Sequence, residues 1–237
     1  MRATIAALLA TGAVLFALWG VSGQEKQPAG EGKKVKLPEA ETKGKISLEE
    51  TLAARRSVRR YADGPLSLKE VSQLLWAAQG VTEKRRGFRT APSAGAAFPL
   101  EIYLVAGDVK GLKAGLYRYL PRRHELESVK EGDLRDRLAG AALGQAMLKD
   151  APATFVIAAD YSRTSARYGR RAARYVHMEV GHAGQNIYLQ CGTLGLGTCA
   201  VGAFHDDRVK ALLGIDEAPL YLMPVGRKEK ERGGAAP

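Results

Sequence analysis

Between Arg167 and Cys191 the chain carries Val176, Val180, Ala183, Ile187 and Cys191 at intervals of three and four residues, the spacing of one apolar face on a long helix. Gly192 to Gly197 ends it. Around this helix the apolar runs Leu100 to Ala106 and Ala153 to Ala159 read as strands. Gly115 to Leu120 and Glu125 to Lys130 flank the polar turn Pro121 to His124 as a hairpin, so part of the sheet is antiparallel. Ser47 with Glu50 and Ser67 with Glu70 have capping-box spacing and open two helices, running to about Arg56 and Gly80. Helices over Asp133 to Gly144 and Asp207 to Leu213, with a last strand from Leu220 to Val225, complete an α+β pattern.

Two ends depart from this globular pattern. Residues 1–23 hold Arg2, an apolar run from Ala3 to Val21 and a small-residue close at Val21-Ser22-Gly23, which reads as a signal peptide for export, with a retained signal anchor as the alternative. Residues 24–45 are Gly, Pro, Lys and Glu with few bulky apolar side chains and read as a flexible tether; residues 229–237 read as a fraying tail. The fold is therefore expected over 46–228, one domain of ordinary size. Export places it in an extracytoplasmic or periplasmic compartment, membrane-tethered if the anchor stays.

The formal charge of +11 admits an anionic partner, but scattered Lys and Arg are most often solvated surface, so only clusters carry chemical weight. A small-molecule partner is expected and a nucleic-acid partner is not. Cys191 and Cys199 form no CxxC motif and read as buried thiols, with a disulfide as the alternative; the four histidines show no ligand spacing, and no metal is expected. Arg55, Arg56, Arg59 and Arg60 surround Ser57 where a helix ends, an arrangement that suits either a phosphate or bulk water. Ala91 to Pro99 is a small-residue loop through which backbone can approach a flat ligand. Gly195 to Phe204 is also rich in small residues but lacks the context of a dinucleotide fingerprint or P-loop.

Taken in order, RRSVRRY at 55–61, PSAGAAFPLEIYLV at 92–105, Gly144-Gln145, RYVHMEVGHAGQNIYL at 174–189, GLGTCAVGAF at 195–204 and PLYLMPVG at 219–226 resemble the SagB-type, azoline dehydrogenase-like branch of the nitroreductase superfamily. The resemblance implies a nitroreductase-like α+β fold, with a mainly antiparallel central sheet flanked by helices, in an intertwined homodimer with FMN at each of two interfaces. It implies that Arg55, Arg56, Ser57 and Arg59 hold the phosphate and ribityl chain, with Arg227 a further candidate. It places Pro92, Ser93 and Ala94 against the partner's flavin, Gln145 at the pyrimidine edge, and the backbone of Ala200, Val201, Gly202 and Ala203 beside N5, with the Gly202 amide as donor.

Where azoline dehydrogenases carry a Lys-Tyr pair, the aligned residues here are Arg167-Tyr168. Arginine is no base near neutral pH, so Tyr168 is left as the catalytic candidate beside its plainer reading as a partly buried helix-start tyrosine. Arg167, Arg170, Arg171 and Arg174 are expected to line one face of the long helix. The leading functional expectation is an FMN-dependent oxidoreductase that moves a hydride between flavin N5 and a small organic substrate or quinone. The competing ones are a membrane-tethered basic binding protein with a non-catalytic flavin fold, and a flavin-destroying relative.

Overall fold

A computed structural model describes residues 32–229. The expected signal segment at 1–23, the first part of the expected tether and most of the expected tail lie outside the described residues. Among the described residues no helix is long and apolar enough to cross a membrane.

The elements run β1 (Lys34–Lys36), α1 (Leu48–Ala54), β2 (Tyr61–Ala62), β3 (Leu66–Ser67), α2 (Leu68–Gln79), β4 (Val81–Glu83), β5 (Phe88–Arg89), β6 (Leu100–Ala106), β7 (Val109–Lys110) and β8 (Gly115–Leu120). They continue with β9 (Glu125–Glu131), α3 (Arg135–Ala141), α4 (Met147–Asp150), β10 (Ala153–Ala159), α5 (Tyr161–Tyr168), α6 (Ala172–Thr193), β11 (Leu196–Thr198), α7 (Asp206–Leu213) and β12 (Ala218–Lys228). The main sheet has the order β1-β9-β8-β6-β10-β12-β11, with β2 added at the end of β12, and every pairing in it is antiparallel.

β6 and β10 are buried along their whole length because both of their faces are covered. Ile102, Leu104, Phe155 and Ile157 pack with α2 and α6 on one side, while Tyr103, Val105, Val156 and Ala158 pack with α3, α4 and α7 on the other. The α6 residues Val176, Val180, Ala183, Ile187 and Cys191 all lie in the first of these cores, as their spacing predicts. Both capping boxes form: Ser47 Oγ accepts from Glu50 N–H at 3.1 Å, and Ser67 Oγ accepts from Glu70 N–H at 3.2 Å. Gly80 closes α2 because a Cβ there would collide with Trp76.

Three boundaries differ from the sequence expectation. Lys34–Lys36, expected within the tether, pair with β9, and the following residues dock: Leu37 is buried, the Pro38 carbonyl accepts from Ser72 Oγ, and Glu41 N–H donates to Gln73 Oε1. One backbone ladder, two hydrogen bonds to α2 side chains and one buried leucine thus supply contacts that low apolar content alone does not reveal. The expected helix from Arg167 to Cys191 is broken, since Gly169 takes φ 50° and ends α5, and a 3-10 turn over Gly169–Arg171 leads into α6. Arg167 and Arg174 therefore sit on different helices rather than on one stripe. β12 runs to Lys228 because β11 and β2 both pair with its far end.

Candidate functional site

The chain leaves α1 at Arg55 in extended conformation and lies beside β11, where Val58 N–H donates to the Thr198 carbonyl at 2.9 Å. Gly197 permits this approach, since a Cβ on it would stand 2.7 Å from Val58. Tyr188, reaching out from α6, locks the junction. Its hydroxyl accepts from Ala200 N–H at 2.8 Å, which leaves its own proton for Ser57 Oγ at 3.0 Å, and the Arg55 guanidinium lies 5.2 Å from its ring centroid. One tyrosine joins the arginine motif to the Gly195–Phe204 segment.

The arginines of this motif form no ion pair: among the described residues no carboxylate lies within salt-bridge distance of Arg55, Arg56, Arg59 or Arg60, and Arg56 spends one nitrogen on the Ala53 and Arg55 carbonyls. Arg227, unlike these arginines, has a carboxylate partner. It forms a two-pronged pair with Glu70, at 2.6 and 2.9 Å, and donates to the Pro65 carbonyl at 3.0 Å. Glu70, already engaged by the α2 cap, is held below the ordinary carboxylate range by Arg227 and Ser67, against the upward push of its burial.

The backbone from Ala200 to Ala203 is sorted by its own hydrogen bonds. Ala200 N–H is taken by Tyr188, and Val201 is buried and exchanges both backbone bonds with Leu222, so Val201 offers nothing to a ligand through its amide. The Gly202 and Ala203 amides donate no hydrogen bond among the described residues, and both residues are exposed. Gln145 is drawn to the same segment, its side-chain amide donating to the carbonyls of Ala203 at 2.8 Å and Ala142 at 2.9 Å. Eight of the expected site residues, Arg55, Arg56, Ser57, Gln145, Ala200, Val201, Gly202 and Ala203, thus belong to one connected region, with Arg59 farther along the segment after α1.

Pro92, Ser93 and Ala94 lie elsewhere, near the N-terminal part of α6. Their loop is strained: Gly95, Ala96 and Phe98 take φ of 59°, 54° and 46°. For the two non-glycine residues such backbone costs on the order of 1–3 kcal/mol each unless its surroundings impose it. The imposing contacts are specific. Ala94 N–H donates to Glu179 Oε1 at 2.9 Å, Phe98 N–H to Ser93 Oγ at 2.8 Å, and Arg163 to the Phe98 carbonyl at 3.0 Å. Glu179 is 4% exposed; burial pushes its carboxyl up, partly offset by Ala94 N–H and the Ser93 hydroxyl. A pocket of about 270 Å³ opens beside it, lined by Pro92, Ser93, Ala94, Tyr175, Met178 and His182.

Tyr168 reaches this loop rather than the arginine motif: a Cβ on Gly95 would lie 2.7 Å from its hydroxyl, and its ring meets Tyr175 edge-on with centroids 4.9 Å apart. Cys191 and Cys199 are separate buried thiols, and burial pushes both away from the thiolate form. Among the described residues no three His, Cys, Asp or Glu side chains gather as a metal site.

Sequence reasoning did not single out Tyr188 and Glu179. The signal for Glu179 is a carboxylate at core spacing, three residues after Val176 and four before Ala183; Tyr188 gives no signal beyond its place in the 174–189 segment.

A mainly antiparallel α+β subunit, with an uncompensated arginine motif tied to open backbone amides, is that of a nitroreductase-type oxidoreductase. The nitroreductase family matches residues 52–227, and the chain belongs to that family. It is 50% identical to a Methanocaldococcus jannaschii protein named as a nitroreductase, over 84% of this chain and 98% of that one. It is 29% identical to the trifolitoxin operon protein TfxC of Rhizobium leguminosarum, over 74% of this chain and 54% of TfxC. A nitroreductase structure from Ralstonia eutropha superposes with a TM-score of 0.73 at 32% identity, covering 84% of this chain and 90% of that one.

Proposed function

We propose that the protein is an FMN-dependent oxidoreductase that acts on a small organic substrate or a quinone. The observation that carries this reading is that Tyr188 joins Arg55 and Ser57, within an arginine motif that has no carboxylate partner among the described residues, to the segment bearing the open Gly202 and Ala203 amides. That donor set fits a phosphate-bearing flavin. Arg55, Arg56 and Arg59 would take the phosphate, Ser57 the ribityl chain and Gln145 the pyrimidine edge. Bound there, FMN supplies the hydride chemistry. The chain would supply the rest: the Gly202 amide would donate to N5 and the guanidinium groups would hold the phosphate, while Val201, tied to Leu222, keeps the amide segment rigid. In this reading Tyr168, beside Gly95 of the 92–98 loop, would hold a proton for substrate.

The reading includes a homodimer. The Pro92–Ala94 loop and the arginine motif hang from α6 at Glu179 and Tyr188, nine residues or about 13 Å apart along the helix. A partner's loop completing each arginine site uses both halves of every chain. The test is a titration of purified, colourless protein with FMN, followed by flavin absorbance and light scattering. Saturable binding of one FMN per chain in a dimer is expected; protein that binds no FMN, or a monomer that retains it, overturns the reading.

A further inference from the structure

A second arginine-rich region lies apart from the Arg55–Arg60 motif. The β4–β5 turn and the turn joining β8 to β9 face each other, and a Cβ on Gly87 in the first would stand 2.8 Å from the Arg122 guanidinium of the second. Beside this contact is a cleft of about 410 Å³, lined by Arg89, Arg118, Arg122 and Arg123 against two carboxylates, Glu101 and Glu127.

The carboxylates do not balance it. Glu101, 8% exposed, is already met twice, by Arg118 at 3.1 Å and by Arg163 at 2.6 Å. Arg89, Arg122 and Arg123 have no carboxylate within salt-bridge distance among the described residues. Arg89 donates to the neutral amide oxygen of Gln79 at 2.8 Å and stacks on Phe98 at 4.6 Å, so its position is fixed without its charge being answered. Burial pushes its guanidinium down from the ordinary value; Glu101 opposes this, while Arg163 and Arg122 add to it. Cations held on two walls of a concave site repel one another unless an anion enters, and the planar guanidinium fork matches phosphate oxygens.

We propose that this cleft binds a small anion carrying at least two linked phosphate groups, held between Arg89 on one wall and Arg122 and Arg123 on the other. It is a different site from the one assigned to FMN. The probe is inorganic pyrophosphate, titrated by calorimetry at low ionic strength into protein saturated with FMN, so that Arg55–Arg59 are filled. The wild type is expected to bind one pyrophosphate per chain, at least tenfold more tightly than monophosphate, and to lose affinity steeply with added salt. Arg122→Ser combined with Arg123→Ser, both on an exposed turn, is expected to weaken binding at least tenfold while FMN affinity stays unchanged. No pyrophosphate binding by the wild type, equal binding by that variant, or no preference over monophosphate overturns the proposal. So does a loss of binding in Arg56→Ala/Arg59→Ala protein that the turn variant does not share, because the anion then sits at the other arginine motif.

Discussion

The two regions hung from α6 solve opposite problems. Around Tyr188 the backbone is ordinary and the charge is unanswered: a β-bridge, a tyrosine hydroxyl and four guanidinium groups with no carboxylate partner among the described residues. Around Glu179 the charge is answered and the backbone is strained, with three left-handed residues in four held by a buried carboxyl group and two arginines from α5. The first region is built to receive charge. The second is built to keep a shape, and its free energy is spent on the protein's own loop. Substitutions in the first should therefore change ligand affinity and leave stability alone, and substitutions in the second should do the reverse.

The largest effect belongs to the charged region. Arg56→Ala and Arg59→Ala are each expected to weaken FMN binding by about 10- to 100-fold, roughly 1.5–3 kcal/mol for one charge-assisted contact, read by fluorescence titration. Both side chains are exposed, so unfolding midpoints should stay within about 0.5 kcal/mol of wild type. Equal losses of stability and affinity would erase the contrast between the regions. Glu179→Ala should do the opposite, costing about 1–3 kcal/mol of stability by leaving the Ala94 amide without its acceptor, seen as a lower denaturation midpoint. Tyr188→Phe sharpens the comparison from the middle. It removes the Ala200 acceptor and the Ser57 partner together, for about 0.5–1.5 kcal/mol per hydrogen bond, and is expected to affect affinity and stability alike. An effect on neither measurement would show that the arginine motif is positioned by β11 alone.

What the sequence makes legible follows from where its signals are local. Val176, Val180, Ala183, Ile187 and Cys191 announce their face because helical spacing is a local property, and Leu100 to Ala106 and Ala153 to Ala159 announce strands because both of their faces are buried. Ser47 and Ser67 announce helix starts because capping is settled within four residues. The misjudged residues depend on partners far away in sequence. Lys34–Lys36 are strand because β9 lies ninety residues on, and β12 reaches Lys228 because Tyr61–Ala62, far back along the chain, pair with its end. Gly169 is a local signal passed over inside an otherwise helical pattern, and it splits the basic stripe. Within the candidate site, the hydrogen bonds of Ala200 and Val201 leave the Gly202 and Ala203 amides open, a distinction that depends on Tyr188 and Leu222 and that the run of small residues does not carry.

The smallest effect tests whether the strained region is as self-contained as its hydrogen bonds imply. Burial raises the Glu179 carboxyl above its ordinary range, while Ala94 N–H, the Ser93 hydroxyl, His182 and Arg89 pull it back. A carboxyl whose native value is raised keeps its proton longer in the folded state than in the unfolded one. Stability is then highest below the unfolded value, falls as pH rises through the interval between the two, and stays at the lower level above the native value. Glu179→Gln keeps an oxygen for Ala94 N–H and has no proton to lose, so this contribution should vanish from it. The stability of Glu179→Gln relative to wild type should therefore grow as pH rises from about 4 and then level off, as measured by denaturant unfolding across about pH 4 to 8. A difference that is flat with pH would mean that the Ala94 and Ser93 donors, with His182 and Arg89, fully offset the burial of the carboxylate. A difference that shrinks with pH would mean that they outweigh it, and the 92–98 loop would then be held by charge, as the arginine motif is expected to hold its ligand.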